Sequence, residues 1–150
     1  MLGELNELQI DHLLLSQFVG RIACTDGKVP YIVPVTYIFD GKAIIGQSKK
    51  GKKLDIMRVN PNVCFQVDTV QNMANWRSVI ATGTFRELEG KEEVEARDYL
   101  FNHLWPFLTS TTIHPHEHAS TLASVDDSNR IKPVMFKIVI DKKTGRFEKH

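Results

Sequence analysis

Cysteine is scarce in this chain, with two residues in 150 and no CxxC pair. Cys24 and Cys64 fall far apart inside predicted strands, so buried reduced thiols are expected rather than a disulfide or a metal site. A charge excess is also missing. The 19 basic and 18 acidic side chains leave a net charge of +1, which gives no general attraction for nucleic acid or an anionic membrane. No apolar run approaches the length of a membrane span. The opening MLGELNELQIDHLLL carries acids where a secretory signal carries Lys or Arg, so the expected location is the cytoplasm. Internal repeats and domain-separating linkers are absent. What remains is an ordinary globular composition, 42% hydrophobic and 25% charged, on a length suited to a single domain over residues 1–150.

The basic residues are local where they matter. In GQSKKGKKLDIMRVNPNVCF (46–65), Lys49, Lys50, Lys52 and Lys53 flank Gly51, and a helical turn then runs to Asn60-Pro61. A basic loop with a glycine, opening into a helix, suits a phosphate: lysines supply charge and free N–H groups at the helix start supply hydrogen bonds. A solvated lysine-rich turn is the alternative on spacing alone.

The surrounding pattern is mostly β. Leu5, Leu8, Ile10, Leu13, Leu14 and Leu15 predict an amphipathic helix over 4–17. Residues 18–25 and 30–39 read as strands, the second (PYIVPVTYIF) interrupted by Pro34, which places an edge or an opening there. Asp40-Gly41 signals a hairpin into 42–47, and 62–70 alternates as a half-buried strand. Residues 76–88 predict a long strand with Gly83 as a bulge, followed by a helix from Gly90. A last strand is predicted over 132–140, with Thr144-Gly145 leading into a tail. Turn-linked strands with single helices between them predict a mainly β fold with flanking helices, a six-stranded antiparallel barrel closed or partly closed.

Three segments carry a family resemblance: VPVTYIFDGKAIIG (33–46), the Ser48-to-Lys53 loop with its following NPNVCF, and WRSVIATGTFREL (76–88). Together they resemble the flavin-binding split-barrel superfamily of the pyridoxamine-phosphate oxidases, and most of all its nitroimidazole-resistance branch. The resemblance implies a split β-barrel that binds FMN in clefts between the subunits of a homodimer. It places the isoalloxazine ring beside Pro34, Val35, Thr36 and Tyr37. The ribityl chain and phosphate fall at Gly46, Gln47, Ser48, Lys52 and Lys53, and further flavin contacts at Trp76 and Ser78. Relatives often carry Arg-Lys where this chain has Lys52-Lys53, which keeps the charge but loses the arginine fork. The implied activity is a flavin-dependent oxidoreductase that passes electrons from a reduced nicotinamide to a small organic acceptor, nitroaromatics among them. A flavin-storing module without turnover and a haem-binding split barrel are the alternatives.

Other candidates have plainer readings. His114, His116 and His118 alternate as metal ligands do in a strand, but Pro115 and the surrounding Ser, Thr and Asp favour a loop, either solvated or facing flavin or substrate. Trp105-Pro106-Phe107 reads as core or dimer packing. Asp126-Asp127 and Glu92-Glu93 read as solvated pairs, and no Ser–His–Asp order stands out.

Overall fold

The chain opens on a short strand, not on a helix. A computed structural model describes residues 1–104 and 133–150. In it Leu2–Glu4 form β1, and α1 (Glu7–Ser16) starts only after Asn6. Asn6 sets that boundary through a capping box. Its side chain accepts from the Gln9 amide at 2.9 Å, and the Gln9 side chain accepts from the Asn6 amide at 2.9 Å. The expected apolar face is narrower than read, because Ile10, Leu13 and Leu14 are buried while Leu8 and Leu15 stay exposed. Each buried leucine contributes roughly 1.5–3 kcal/mol.

Strands β2 (Val19–Thr25), β3 (Pro30–Phe39) and β4 (Ala43–Ser48) follow as hairpins. The turn between β3 and β4 sits one residue later than predicted. Asp40 N–H donates to the Ala43 carbonyl at 3.2 Å, which leaves Gly41 and Lys42 as the loop. Gly41, at φ 95°, takes the positive-φ first position that such loops need. Then come α2 (Lys52–Val59), β5 (Asn62–Asn72), β6 (Asn75–Glu87), α3 (Gly90–Leu104) and β7 (Val134–Glu148).

The strands run β1-β7-β4-β3-β2-β5-β6, all neighbours antiparallel, and β6 also pairs with β7. That last pairing closes β2 to β7 into the six-stranded barrel, with β1 added outside it. Strand β7 is longer than the sequence suggested. Thr144 and Gly145 pair with Ile80 and Val79, so no turn forms there and the strand continues to Glu148 between β6 and β1. A bulge is present beside Gly83, but its extra residue is on β7: Thr82 pairs with Lys142 and Gly83 with Ile140, which skips Asp141, and a Cβ at Gly83 would run into the Val139 carbonyl oxygen.

The barrel interior holds the main core, including Leu13, Ile22, Tyr37, Leu54, Phe65 and Phe136. A smaller cluster under α3 joins Ile38, Ile45, Leu88, Leu100 and Met135. Both cysteines are free thiols. Cys64 lies opposite Ala23 in the β2–β5 register, so it and Cys24 project to opposite faces and no disulfide forms. Among the described residues, no helix is long and apolar enough to cross a membrane. His114, His116, His118, Trp105, Pro106, Phe107, Asp126 and Asp127 lie outside the described residues.

Candidate functional site

The barrel splits where β3 leaves β4. Their ladder pairs Phe39, Ile38 and Tyr37 with Ile44, Ile45 and Gly46, and it stops there. The Tyr37 amide donates to the Phe18 carbonyl at 3.0 Å, on the β2 side. Alternation along the strand then turns the Val35 and Val33 amides toward β2 as well, and the backbone groups of Pro34 and Thr36 toward the opening. Pro34 therefore costs no ladder bond, which is the open edge its sequence position predicted. On the other lip, Gln47 and Ser48 pair only with Met135 and Val134 of β7. The same alternation turns the Gln47 backbone toward the gap.

An open cleft of about 420 Å³ fills this gap. Tyr31, Val33, Pro34, Val35 and Thr36 line one side; Gln47, Ser48, Lys49, Gly51, Lys52 and Lys53 line the other. Strand and helix positions explain the convergence: β3 presents its open edge, and α2 begins directly where β4 ends. Gly51 precedes α2 with extended backbone and no side-chain cap, so the first amides of the helix have no capping partner. A Cβ at Gly51 would meet nothing within 4 Å. Its role is therefore an unobstructed approach to the helix start, not a special backbone angle.

The electrostatics of the cleft are one-sided. Its lining holds Lys49, Lys52 and Lys53 and no carboxylate, and none of the three makes an ion pair among the described residues. Lys52 Nζ lies 4.9 Å from the centre of the Tyr31 ring. Lys53 is half-buried, and desolvation holds its ammonium below the ordinary lysine range, partly offset by Cys24. Burial in turn pushes the Cys24 thiol up, against the opposing field of Lys53. The Gln47 Oε1 atom is buried without a hydrogen-bond partner. Such an orphan acceptor costs about 1–3 kcal/mol. Ser48 donates its hydroxyl proton to the Lys49 carbonyl at 2.9 Å, so toward a ligand it offers lone pairs.

Seven of the residues singled out from the sequence meet here: Pro34, Val35, Thr36, Gln47, Ser48, Lys52 and Lys53. Four do not. The Tyr37 side chain is fully buried in the core, and its hydroxyl donates to the Leu14 carbonyl at 2.7 Å. It stands edge-on to Phe65 with ring centres 4.7 Å apart, so it forms no wall of the cleft. Gly46 makes room for a core ring: a Cβ there would lie 2.7 Å from Phe136. Trp76 and Ser78 line a second cleft of about 670 Å³ with Glu4, Leu5, Ile10, Ile80 and residues 143–146. Ser78 Oγ accepts from Gln66 Nε2 at 3.1 Å. The residue missed was Tyr31, the aromatic wall of the first cleft. Alternation along β3 was the available signal, since Tyr31 shares the face of Val33 and Val35.

Both clefts border one outer sheet face. Pro34, Arg21, Gln66 and Ile80 form a single cross-strand row, with Pro34 in the first cleft and Ile80 in the second. Three strand spacings separate them, about 14 Å.

A closed six-stranded barrel, split beside a cationic cleft at a helix start, defines the class of protein. The chain matches the family described as Pyridoxamine 5'-phosphate oxidase over residues 6–138, and it belongs to that family. A curated relative, an uncharacterized protein of Rhizobium meliloti (strain 1021), is 40% identical over 70 residues, which are 47% of this chain and 46% of that protein. The match thus spans about half the length of that relative. A solved FAD-binding protein from Mesorhizobium loti is 28% identical and superposes with a TM-score of 0.78 over 100% of this chain and 98% of that one. A candidate 5-nitroimidazole antibiotic resistance protein from Bacteroides thetaiotaomicron shares the fold, with TM-score 0.68, 16% identity, and 98% and 87% of the two chains covered.

Proposed function

We propose that this protein is an FMN-binding homodimer that works as a flavin-dependent oxidoreductase. One observation carries the reading: lysines unpaired among the described residues and open backbone groups at Thr36 and Gln47 converge on one cleft, and Gln47, one of its lining residues, also carries a buried orphan oxygen. The residues fit the cofactor. A phosphomonoester is close to a dianion at neutral pH, and Lys49, Lys52, Lys53 and the uncapped amides of α2 supply cations and donors for it. The Pro34–Thr36 edge presents backbone donors and acceptors for the pyrimidine edge of a flavin ring. A cleft of about 420 Å³ is of ordinary size for a small-molecule site. The FAD-binding description of the Mesorhizobium loti neighbour, which matches over the whole chain, also supports a flavin here.

When bound, the flavin supplies the electron-transfer chemistry, with a reduced nicotinamide as the proposed donor and a small organic molecule, nitroaromatics included, as acceptor. The chain holds the phosphate, orients the ring along β3 and excludes water on the barrel side through Val33 and Val35. The two-cleft geometry supports a dimer. Trp76 and Ser78 share the second cleft with Ile80, itself about 14 Å across the sheet from Pro34 of their own chain's lysine cleft. A two-fold partner on this face brings them over its neighbour's cleft. Apolar Val19, Ile32, Val70 and Ile80, exposed on the same face, favour its burial.

A non-catalytic flavin-binding module is the second reading, because the described lining of the cleft holds only lysines and Tyr31 as titratable side chains. The test begins with the visible spectrum of purified protein, where flavin bands are expected. Light scattering should give a dimer mass at micromolar concentration. Consumption of reduced nicotinamide with a nitroaromatic acceptor separates the two readings. Lys52→Ala with Lys53→Ala removes two charge-assisted contacts worth about 1.5–3 kcal/mol each. FMN affinity should then fall at least ~100-fold while riboflavin binding changes little. Equal losses for both ligands would place the phosphate elsewhere.

A further inference from the structure

We propose that Tyr31 is a positioning residue. It holds the Lys52 ammonium at the mouth of the cleft and thereby strengthens the preference for a phosphorylated over an unphosphorylated ligand. This inference rests on the phosphate site proposed above and assigns a role to a side chain outside the lysine loop.

The geometry carries it. Tyr31 is fixed by the β2–β3 ladder, where it pairs with Cys24, and its half-buried ring lines the cleft. Lys52 begins α2 on the opposite lip, and its Nζ lies over that ring at 4.9 Å from the centroid. A lysine stem has four rotatable bonds, and in open solvent its ammonium samples a wide volume. The negative face of an aromatic ring restrains it without neutralising it. A carboxylate in the same place would also restrain Lys52, but it would cancel the charge that an arriving anion needs. Lys53 is likewise half-buried, and among the described residues no acid is paired with it. Lys52 is thus placed by a neutral neighbour, and the charge of both cations remains available to a phosphate.

The experiment compares dissociation constants for FMN and riboflavin, read by flavin fluorescence, in the wild type and in Tyr31→Leu, Tyr31→Phe and Lys52→Met. Removing the ring should weaken FMN binding about three- to fivefold and leave riboflavin unchanged, and Tyr31→Phe should retain wild-type FMN affinity. In the Lys52→Met background, Tyr31→Leu should cause no further loss for FMN. Equal losses for FMN and riboflavin, or a full Tyr31→Leu effect persisting without Lys52, would overturn the proposal. If Tyr31→Leu does not fold, as judged by circular dichroism, Tyr31→Met fills the space with a flexible apolar side chain and carries the same comparison. A wild type that binds riboflavin as tightly as FMN would instead remove the phosphate site itself.

Discussion

Replacing Gln47 with methionine removes a buried amide while keeping an unbranched side chain of similar length. In the free protein the Gln47 Oε1 atom is out of reach of water and has no donor, so its desolvation is uncompensated. Relief of that burden stabilises by about 1–3 kcal/mol, and some of this is returned if the thioether packs less well. For a domain of this size, 1 kcal/mol corresponds to roughly 2–4 °C in Tm. The expected result is a ligand-free Gln47→Met protein that melts about 2–8 °C higher than the wild type. With saturating FMN the difference should shrink or reverse, because a ligand donor that satisfies Gln47 stabilises only the wild type. Differential scanning fluorimetry on flavin-free and flavin-loaded protein measures both numbers. A variant that melts lower without ligand, or one equally stabilised in both states, would refute the view that this oxygen awaits a ligand.

The pairing of β3 with β2 is tested by Val35→Pro. The Val35 amide faces β2, so proline there breaks the ladder to Gly20 and should destabilise the free protein by about 1–3 kcal/mol in chemical denaturation, while Thr36→Ala should be mild in both stability and flavin binding. Gly83→Ala should lower stability by about 1–3 kcal/mol, because its Cβ collides with the Val139 carbonyl; an unchanged denaturation midpoint would mean that the bulge relaxes freely. FMN affinity should fall at both ends of a pH titration. On the acid side the phosphate takes up a proton near about pH 6. On the alkaline side Lys53, whose burial holds it below the ordinary 10.5, loses its charge as pH rises, and the anion loses a partner. The ratio of FMN to riboflavin affinity should fall on both limbs, and a ratio that stays level on the alkaline side would detach Lys53 from the phosphate.

Much of the fold is legible in local pattern. Alternation in 30–39 and 62–70, the hairpin signal at Asp40-Gly41 and Gly83 inside a strand each report a physical constraint acting within a few residues. The lysine loop is legible for the same reason: β4, Gly51 and α2 are contiguous, so the cations and the helix start come together without long-range folding. One error lies where a partner strand decides, and another in a local signal. Thr144-Gly145 read as the start of a tail, yet β6 keeps them extended in β7. Asn6 and Gln9 carried a capping box that moves the helix start away from residue 4.

The sequence by itself determined the alternating faces, the open edge at Pro34 and the cationic loop, since each follows from backbone geometry or from charges adjacent in the chain. Only the tertiary structure decided what those faces meet. Tyr37 follows Thr36 in the sequence but points into the barrel, where burial of its ring and the Leu14 carbonyl hold it. Tyr31, six residues earlier on the same side of the strand, reaches the cleft because β4 has already separated from β3 there. Trp76 and Ser78 were grouped with the lysines by sequence, yet register places them at the far margin of the outer sheet face. Local periodicity specifies which way a side chain points; ring closure and register specify what stands opposite, and these depend on pairings between distant parts of the chain.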